Sequence, residues 1–339
     1  MFAGDRDLGN SWVMKTKIVY VVVSSLSDYY LEQAWVSMWS AKHYNPDVEI
    51  VMVTDKETQT TTKTQERSGF LKIVSNFIVV DFDAGISNLE RSRWLKTNLR
   101  KLVQGDFLYV DSDTIVTDSL SEIDEWTSPL GMVLDLHMET ATFPAIINAW
   151  VKNLLDYEFQ TPNYHYFNGG IIYAKDCKET HEFFKKWHEN WKITKSRGEL
   201  FDQPSLNKVN DELGGKAINV LSGIYNCQVF FSIRYLHKAK IIHFARTLVY
   251  GRKSSSISPF QKDELFQKVR TECGIGKEVY DKILNCKSEF DVPSAPVDMD
   301  EFVFLKSLPC RALKKLYVQK PNLFQLLERI MFRIKKMKL

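Results

Sequence analysis

The sequence predicts an α/β protein built on a mostly parallel sheet with helices on its faces, and three observations lead there. Two runs near the start, Lys17 to Ser24 (KIVYVVVS) and Val48 to Thr54 (VEIVMVT), are apolar without alternation, as strands covered on both faces are. Between them Leu31, Ala34, Trp35, Met38 and Trp39 fall on one side of a helix over Asp28 to His43. Strand, helix, strand is the unit of a doubly wound sheet, and ligands of such sheets bind outside the carboxyl ends of the strands.

Those strand ends supply the first candidates. Val22 to Ser24 and Asp55, counting Val23 and Ser24 as nucleotide contacts, would edge a base and ribose pocket, or be plain strand ends. The glycine-rich dinucleotide fingerprint is missing, because no glycine lies between Asn10 and Gly69. Glu57 to Gln65 is rich in Thr and Gln and is expected to form a flexible loop. Phe77 to Asp81 reads as a third strand. Asn88 to Val103 (NLERSRWLKTNLRKLV) reads as one helix, whose spacing puts Arg93, Lys96 and Arg100 on one face. A basic face is usually solvated. This one leads across Gly105 into the next strand, so Arg93 or Lys96 can lean over a phosphate.

That next stretch, Phe107 to Val116 (FLYVDSDTIV), organises the chain. Its apolar start is a buried strand, and Asp111 and Asp113 flank Ser112 where the strand stops. Residues i and i+2 of an extended backbone point to one side, so the two carboxylates converge. Like charges that close repel unless a cation lies between them. Mg²⁺ or Mn²⁺ suits such oxygen ligands and takes further ligands from substrate phosphates. Two rival pairs, Asp81 with Asp83 and Asp298 with Asp300, read as a solvated strand end and a loop.

Further on, a short helix is expected at Ser119 to Trp126, a strand at Gly131 to Leu136 and a helix at Phe143 to Tyr157. Asn168-Gly169-Gly170 opens the apolar strand Ile171 to Tyr173. It allows close backbone approach to a ligand, or forms an ordinary hairpin turn. Lys175 to Lys195 is a long helix whose Phe183, Phe184, Trp187 and Trp191 sit at core spacing. Asp202, with Pro204 in the first turn, is a plausible helix N-cap. Ile241 to Phe244 is a short strand carrying His243, either a structural histidine or a third ligand for a Mn²⁺-type site. Arg246, Arg252 and Lys253 follow in a loop that can close over a diphosphate.

In this order the motifs resemble the GT-A fold glycosyltransferases, most closely the family-8 type that includes bacterial lipopolysaccharide galactosyl- and glucosyltransferases and glycogenin. The resemblance spans about Lys17 to Lys253. It rests on KIVYVVVS, the Arg/Lys helix, FLYVDSDTIV, YFNGGIIY, DQPSLN and IIHF with its basic loop. It implies a metal pair in Asp111 and Asp113 with His243 as third ligand, and donor contacts from Arg93 and Lys96. It also implies a donor-sugar turn at Asn168 and Gly169, and Asp202 and Gln203 beside the reacting anomeric carbon. The implied activity is transfer of a hexose from a UDP-sugar, with retention, using Mn²⁺ or Mg²⁺. Gly251 and Lys253 depart from the family's H-x-x-G-x-x-K spacing, lying eight and ten residues beyond His243.

The 339 residues suffice for one large domain or two, and 44% hydrophobic residues can bury a sizeable core. Five scattered cysteines support neither a disulfide framework nor a zinc site, so a reducing cytoplasm is expected. No apolar run is long enough to span a membrane, and none before Lys17 resembles a signal peptide. The tail from Lys306 to Leu339 holds ten basic residues against one acid, a charge of +9. A total of +3 leaves −6 for the rest, which argues against a nucleic-acid surface. Helices are expected at Phe302 to Tyr317 and Pro321 to Leu339. In the second, Leu323, Leu327, Ile330, Ile334 and Met337 form an apolar stripe beside basic residues, the pattern of an interfacial anchor or of a helix packed on protein. The expected division is residues 1–14 as leader or non-native extension, 15–256 as catalytic domain and 257–339 as helical C-terminal region. The resulting expectation is a cytoplasmic enzyme at the inner face of the plasma membrane, acting on a glycan or lipid-linked acceptor. Its alternatives are a sugar-phosphate nucleotidyltransferase, which needs a glycine-rich signature that is missing here, and a non-catalytic binder of nucleotide-sugars or glycans.

Overall fold

The structure, a computed structural model, describes residues 14–138, 156–157, 165–245, 257–291, 304–305 and 307–337. Contacts divide the chain into two units: Met1–Met138 with Phe159–Pro293, and Glu139–Glu158 with Ser294–Leu339. The strands of the first unit are β1 (Lys17–Val22), β2 (Ile50–Asp55), β3 (Asn76–Val80), β4 (Phe107–Val110), β5 (Thr114–Val116), β6 (Leu130–Leu134), β7 (Phe167–Ala174), β8 (Asn219–Val220), β9 (Cys227–Gln228) and β10 (Ile241–His243). Its helices are α1 (Tyr30–Tyr44), α2 (Lys56–Thr61), α3 (Asn88–Thr97), α4 (Leu99–Leu102), α5 (Lys178–Ser196), α6 (Gln203–Glu212), α7 (Asp263–Thr271) and α8 (Lys277–Leu284).

Seven strands form one sheet in the order β3-β2-β1-β4-β7-β6-β8. β1 pairs parallel with β2 and β4, β2 with β3 and β6 with β8, while β7 runs antiparallel to β4 and β6. The mixed, mostly parallel sheet is the one expected. After Lys17, β1 is apolar because its residues alternate between two cores. Ile18, Tyr20 and Val22 join Trp35 and Met38 of α1 on one face, and Val19 and Val21 join Leu95 and Trp187 on the other. The aromatic stripe of α5 lies in the core, with Phe183, Phe184, Trp187 and Trp191 all buried.

A second, three-stranded sheet has the order β5-β10-β9. β10 lies antiparallel to β5, so His243 stands opposite Thr114, one residue beyond the Asp111–Asp113 turn. The chain therefore leaves the large sheet at β4 and enters the small one at β5. The carboxylate pair occupies the bend between them, not an extended strand.

Several elements differ from expectation for local reasons. The Thr/Gln tract is helical as far as Thr61: Asp55 caps α2 by accepting from the Thr58 N–H at 2.8 Å, and Thr60, Thr61 and Thr62 return hydroxyl hydrogen bonds to nearby carbonyls. The basic helix breaks at Asn98 into α3 and α4. Asn168-Gly169-Gly170 lies inside β7 and makes no hairpin. Ser121–Glu125 is a 3-10 turn, and β6 stops at Leu134, followed by Leu136 and His137 in the left-handed region at φ 56° and 57°. The helix expected at Phe143 to Tyr157 lies outside the described residues as far as residue 155, and Asp156 and Tyr157 are not helical; Lys253 also lies outside them.

Residues 257–291 pack with the first unit, where Leu265, Phe266 and Val269 of α7 and Val279 and Ile283 of α8 are buried in its core. In the second unit α9 (Leu308–Gln319) and α10 (Pro321–Met337) form successive helices, with Tyr317 edge-on to Phe324 at 5.2 Å. Leu308, Leu313, Tyr317, Val318, Leu326 and Phe332 are exposed on them. No helix among the described residues is long and apolar enough to cross a membrane.

Candidate active site

β1 adjoins β2 on one side and β4 on the other, so the sheet order reverses there and the crevice opens at their carboxyl ends. β4 delivers Asp111, held by its N–H donating to the Gly170 carbonyl at 2.8 Å. β10 delivers His243, and the following Phe244 N–H donates to the Asp113 carbonyl at 2.9 Å. Ligand atoms of Asp111, Asp113 and His243 lie within 4.8 Å of one another, the one such cluster among the described residues. His243 Nε2 faces Asp113 Oδ1 at 3.1 Å, while its Nδ1–H donates to Asn226 Oδ1 at 3.0 Å. A metal-binding histidine is oriented in this way, one nitrogen toward the ligand point and the other fixed by an acceptor. Two carboxylates and one imidazole make a donor set that fits Mn²⁺ or Mg²⁺.

Gly170 is required here by space. A Cβ on it would lie 2.5 Å from His243 Cε1. From His243 a chain of amides runs sideways: Asn226 Nδ2 donates to Asn168 Oδ1 at 2.9 Å, and Asn168 Nδ2 donates to Asp135 Oδ1 at 2.8 Å. Asp135 is buried, which pushes its carboxyl above the usual range against the hydrogen bonds from Asn168 and Gln203. Gln203 also accepts from the Gly169 N–H at 3.4 Å.

The basic helix meets this cluster from the other side. Lys96 Nζ lies 3.3 Å from Asp111 Oδ1 and 3.6 Å from Asp202 Oδ2, and Arg93 Nε lies 3.2 Å from Asp202 Oδ1. Burial alone would raise the pKa of Asp202, but Lys96 and Arg93 outweigh it and hold the carboxylate below its ordinary value. Asp202 begins α6 without a side-chain capping bond, so its carboxylate serves the charge cluster and not the helix. Tyr109, two residues before Asp111, donates a hydrogen bond to Asp111 Oδ1 and lies under Lys96 at 4.8 Å. Arg100 turns away to Asp176 and the carbonyl of Gly105, since the break at Asn98 moves it off the face of Arg93 and Lys96.

The structure thus joins Asp111, Asp113, His243, Lys96, Arg93, Asp202, Gln203, Asn168, Gly169 and Gly170 by contact, with Ser112 in the turn between the carboxylates. Val23, Ser24 and Asp55 belong to a neighbouring cluster at the ends of β1 and β2. There the Ser24 N–H donates to Thr58 Oγ1 at 2.8 Å, and Asp55 pairs with Arg91 at 2.5 Å. Sequence reasoning missed Asp135, Tyr109 and Asn226. Asp135 ends its apolar run as Asp111 ends FLYVD, and Tyr109 follows from the two-residue period of a strand. Asn226 lies in irregular chain and carries no such signal.

Fold and site together define a glycosyltransferase of the GT-A type. Residues 16–283 match the sequence model of the nucleotide-diphospho-sugar transferase family, and the chain belongs to that family. Among solved structures it is similar to the galactosyltransferase LgtC, in complex with donor and acceptor sugar analogs, at 18% identity and a TM-score of 0.50, covering 79% of this chain and 100% of that one. It is also similar to the bifunctional glycosyltransferase WbbM at 16% identity and a TM-score of 0.52, covering 81% of this chain and 53% of that one. These likenesses bear on the fold. No curated protein matches the chain by sequence.

Proposed function

We propose that this enzyme moves a hexose, galactose or glucose, from a UDP-sugar to a glycan or lipid-linked acceptor, with Mn²⁺ or Mg²⁺ at Asp111, Asp113 and His243 and with retention at the anomeric carbon. The observation that carries the reading is the convergence of that triad with Lys96, Arg93 and Asp202 in one contiguous cluster. When bound, the cation supplies charge neutralisation for a leaving diphosphate. Lys96, already between two carboxylates, adds a fixed cation beside the same phosphates, where charge develops in the transition state. Asp202 holds Lys96 and Arg93 in place and lies against the sugar. Gln203, Asn168 and Asp135 offer hydrogen bonds to sugar hydroxyls. Discrimination between hexoses differing at one hydroxyl rests on such groups, because a buried donor or acceptor left unpaired is costly. Asp202 and Gln203 act as positioners of the sugar, and the leaving phosphate takes the acceptor's proton.

The proposed setting is the cytoplasmic face of a bacterial membrane, in surface polysaccharide or lipopolysaccharide synthesis. The charge of +9 on the tail and the exposed apolar residues of α9 and α10 support membrane contact, each Lys or Arg near an anionic surface contributing about 1 kcal/mol. Slow hydrolysis of UDP-galactose and UDP-glucose tests the reading. Release of UDP from one of them is expected with Mn²⁺ and not with a chelator, and to fall at least about a hundredfold in Asp202→Asn. Release that is indifferent to the chelator would contradict it.

A further inference from the structure

One buried side chain beside the metal turn, Gln33, lies outside the charge cluster of the site. On α1, Gln33, Ser37 and Ser40 follow one another at helical spacing and make a buried polar stripe. The stripe runs in register with the chain leaving the metal turn. Ser40 Oγ accepts from the Val116 N–H at 2.9 Å, and one turn on, Ser37 Oγ lies 2.8 Å from Thr114 Oγ1. The next rung brings Gln33 to the level of Ser112 and Asp113. Gln33 is 4% exposed, and its Nε2 has no hydrogen-bond partner among the described residues. It lines a small space of about 10 Å³ together with Ser112, Asp113, Phe244, Phe260 and Phe266.

A buried amide nitrogen calls for an acceptor, and native structures supply one for nearly all such groups. A space of that volume accepts a single water, provided that polar groups face it. Gln33 and Asp113 supply the polar groups, and Phe244, Phe260 and Phe266 line the space beside them. We propose that Gln33 is a positioning residue for the metal site, its amide donating to one buried water that in turn donates to the Asp113 carboxylate. The inference rests on reading Asp111, Asp113 and His243 as the metal ligands. It adds the support that fixes one of them, since partners behind a ligand commonly change metal affinity by about ten- to a hundredfold.

The test is Mn²⁺ binding followed by paramagnetic resonance of the free ion, on the full chain, on Gln33→Leu and on Ser37→Ala. Gln33→Leu keeps the volume and loses the donor. It is expected to weaken Mn²⁺ binding about tenfold with its melting temperature unchanged or raised. Ser37→Ala is expected to lower the melting temperature and leave Mn²⁺ affinity as in the parent. Equal affinity in Gln33→Leu and parent overturns the inference while leaving the metal site standing. A parent that binds no Mn²⁺ overturns both. Should Gln33→Leu fail to fold, a high-resolution crystal structure of the Mn²⁺-loaded parent decides. One water within hydrogen-bond distance of Gln33 Nε2 and the Asp113 carboxylate is expected, and its absence overturns the proposal.

Discussion

Asp202 opens α6 at the position from which a side chain caps a helix, yet its carboxylate turns to Arg93 and Lys96. From the sequence both roles were open, because the cations that decide between them lie about a hundred residues away. Asp111 and Asp113 were legible for a different reason: a short-range pattern, apolar strand then paired carboxylates, carries its own chemistry. Their convergence nonetheless comes from a bend and from β10, not from an extended backbone. His137 shows a consequence that spacing does not reveal. It is buried, its Nε2 accepts from the Gln228 N–H at 3.0 Å, and burial, followed by the charges of Arg234 and His243, brings its pKa down from 6.5 to about 4. The unfolded chain therefore binds the proton more readily than the folded one between those values. Stability present above pH 6.5 is lost as pH falls toward 4, by up to about 3 kcal/mol. Chemical denaturation across that range is expected to show the slope in the parent and a flatter one in His137→Asn, a residue that tolerates the left-handed backbone.

Elements with a strong apolar period were read correctly because packing and sequence demand the same thing: β1, β2, α1 and α5 have both faces or a full stripe in the core. The Thr/Gln tract was misread because composition hides the cap from Asp55 and the hydroxyl bonds that hold α2. A larger omission is the buried cluster that ties three elements together. Glu32 of α1 is fully buried and accepts from Arg67 Nε at 2.7 Å, in the 3-10 segment Gln65–Lys72, and from Arg270 Nε of α7 at 2.9 Å. The same guanidiniums donate to the carbonyls of Ser25, Leu26 and Asp28 in the turn after β1. Removing the shared acid leaves charge buried without its counter-ion, which costs more than the pair itself contributes. Glu32→Leu is expected to lower unfolding free energy by about 3–5 kcal/mol in urea titration. A change below about 1 kcal/mol would mean that the two arginines find other partners.

At the scale of the whole chain, the order of motifs from Lys17 to Phe244 identified the fold because a doubly wound sheet places each strand end at one rim, so separate motifs share one crevice. The membrane contact proposed for the tail rests on its charge of +9 and on the apolar stripe of its last helix. Deleting Pro321 to Leu339 is expected to leave nucleotide binding intact and to abolish sedimentation with anionic vesicles, binding that in the parent weakens as salt rises. Retained vesicle binding in the truncated protein would move the contact elsewhere. Nucleotide is expected to be held through a cation on Asp111, Asp113 and His243. Calorimetric titration of UDP into the protein, with and without Mn²⁺ and repeated on Asp113→Asn, tests it directly. Binding that requires Mn²⁺ and vanishes in the variant is the predicted result, and binding indifferent to both would contradict it.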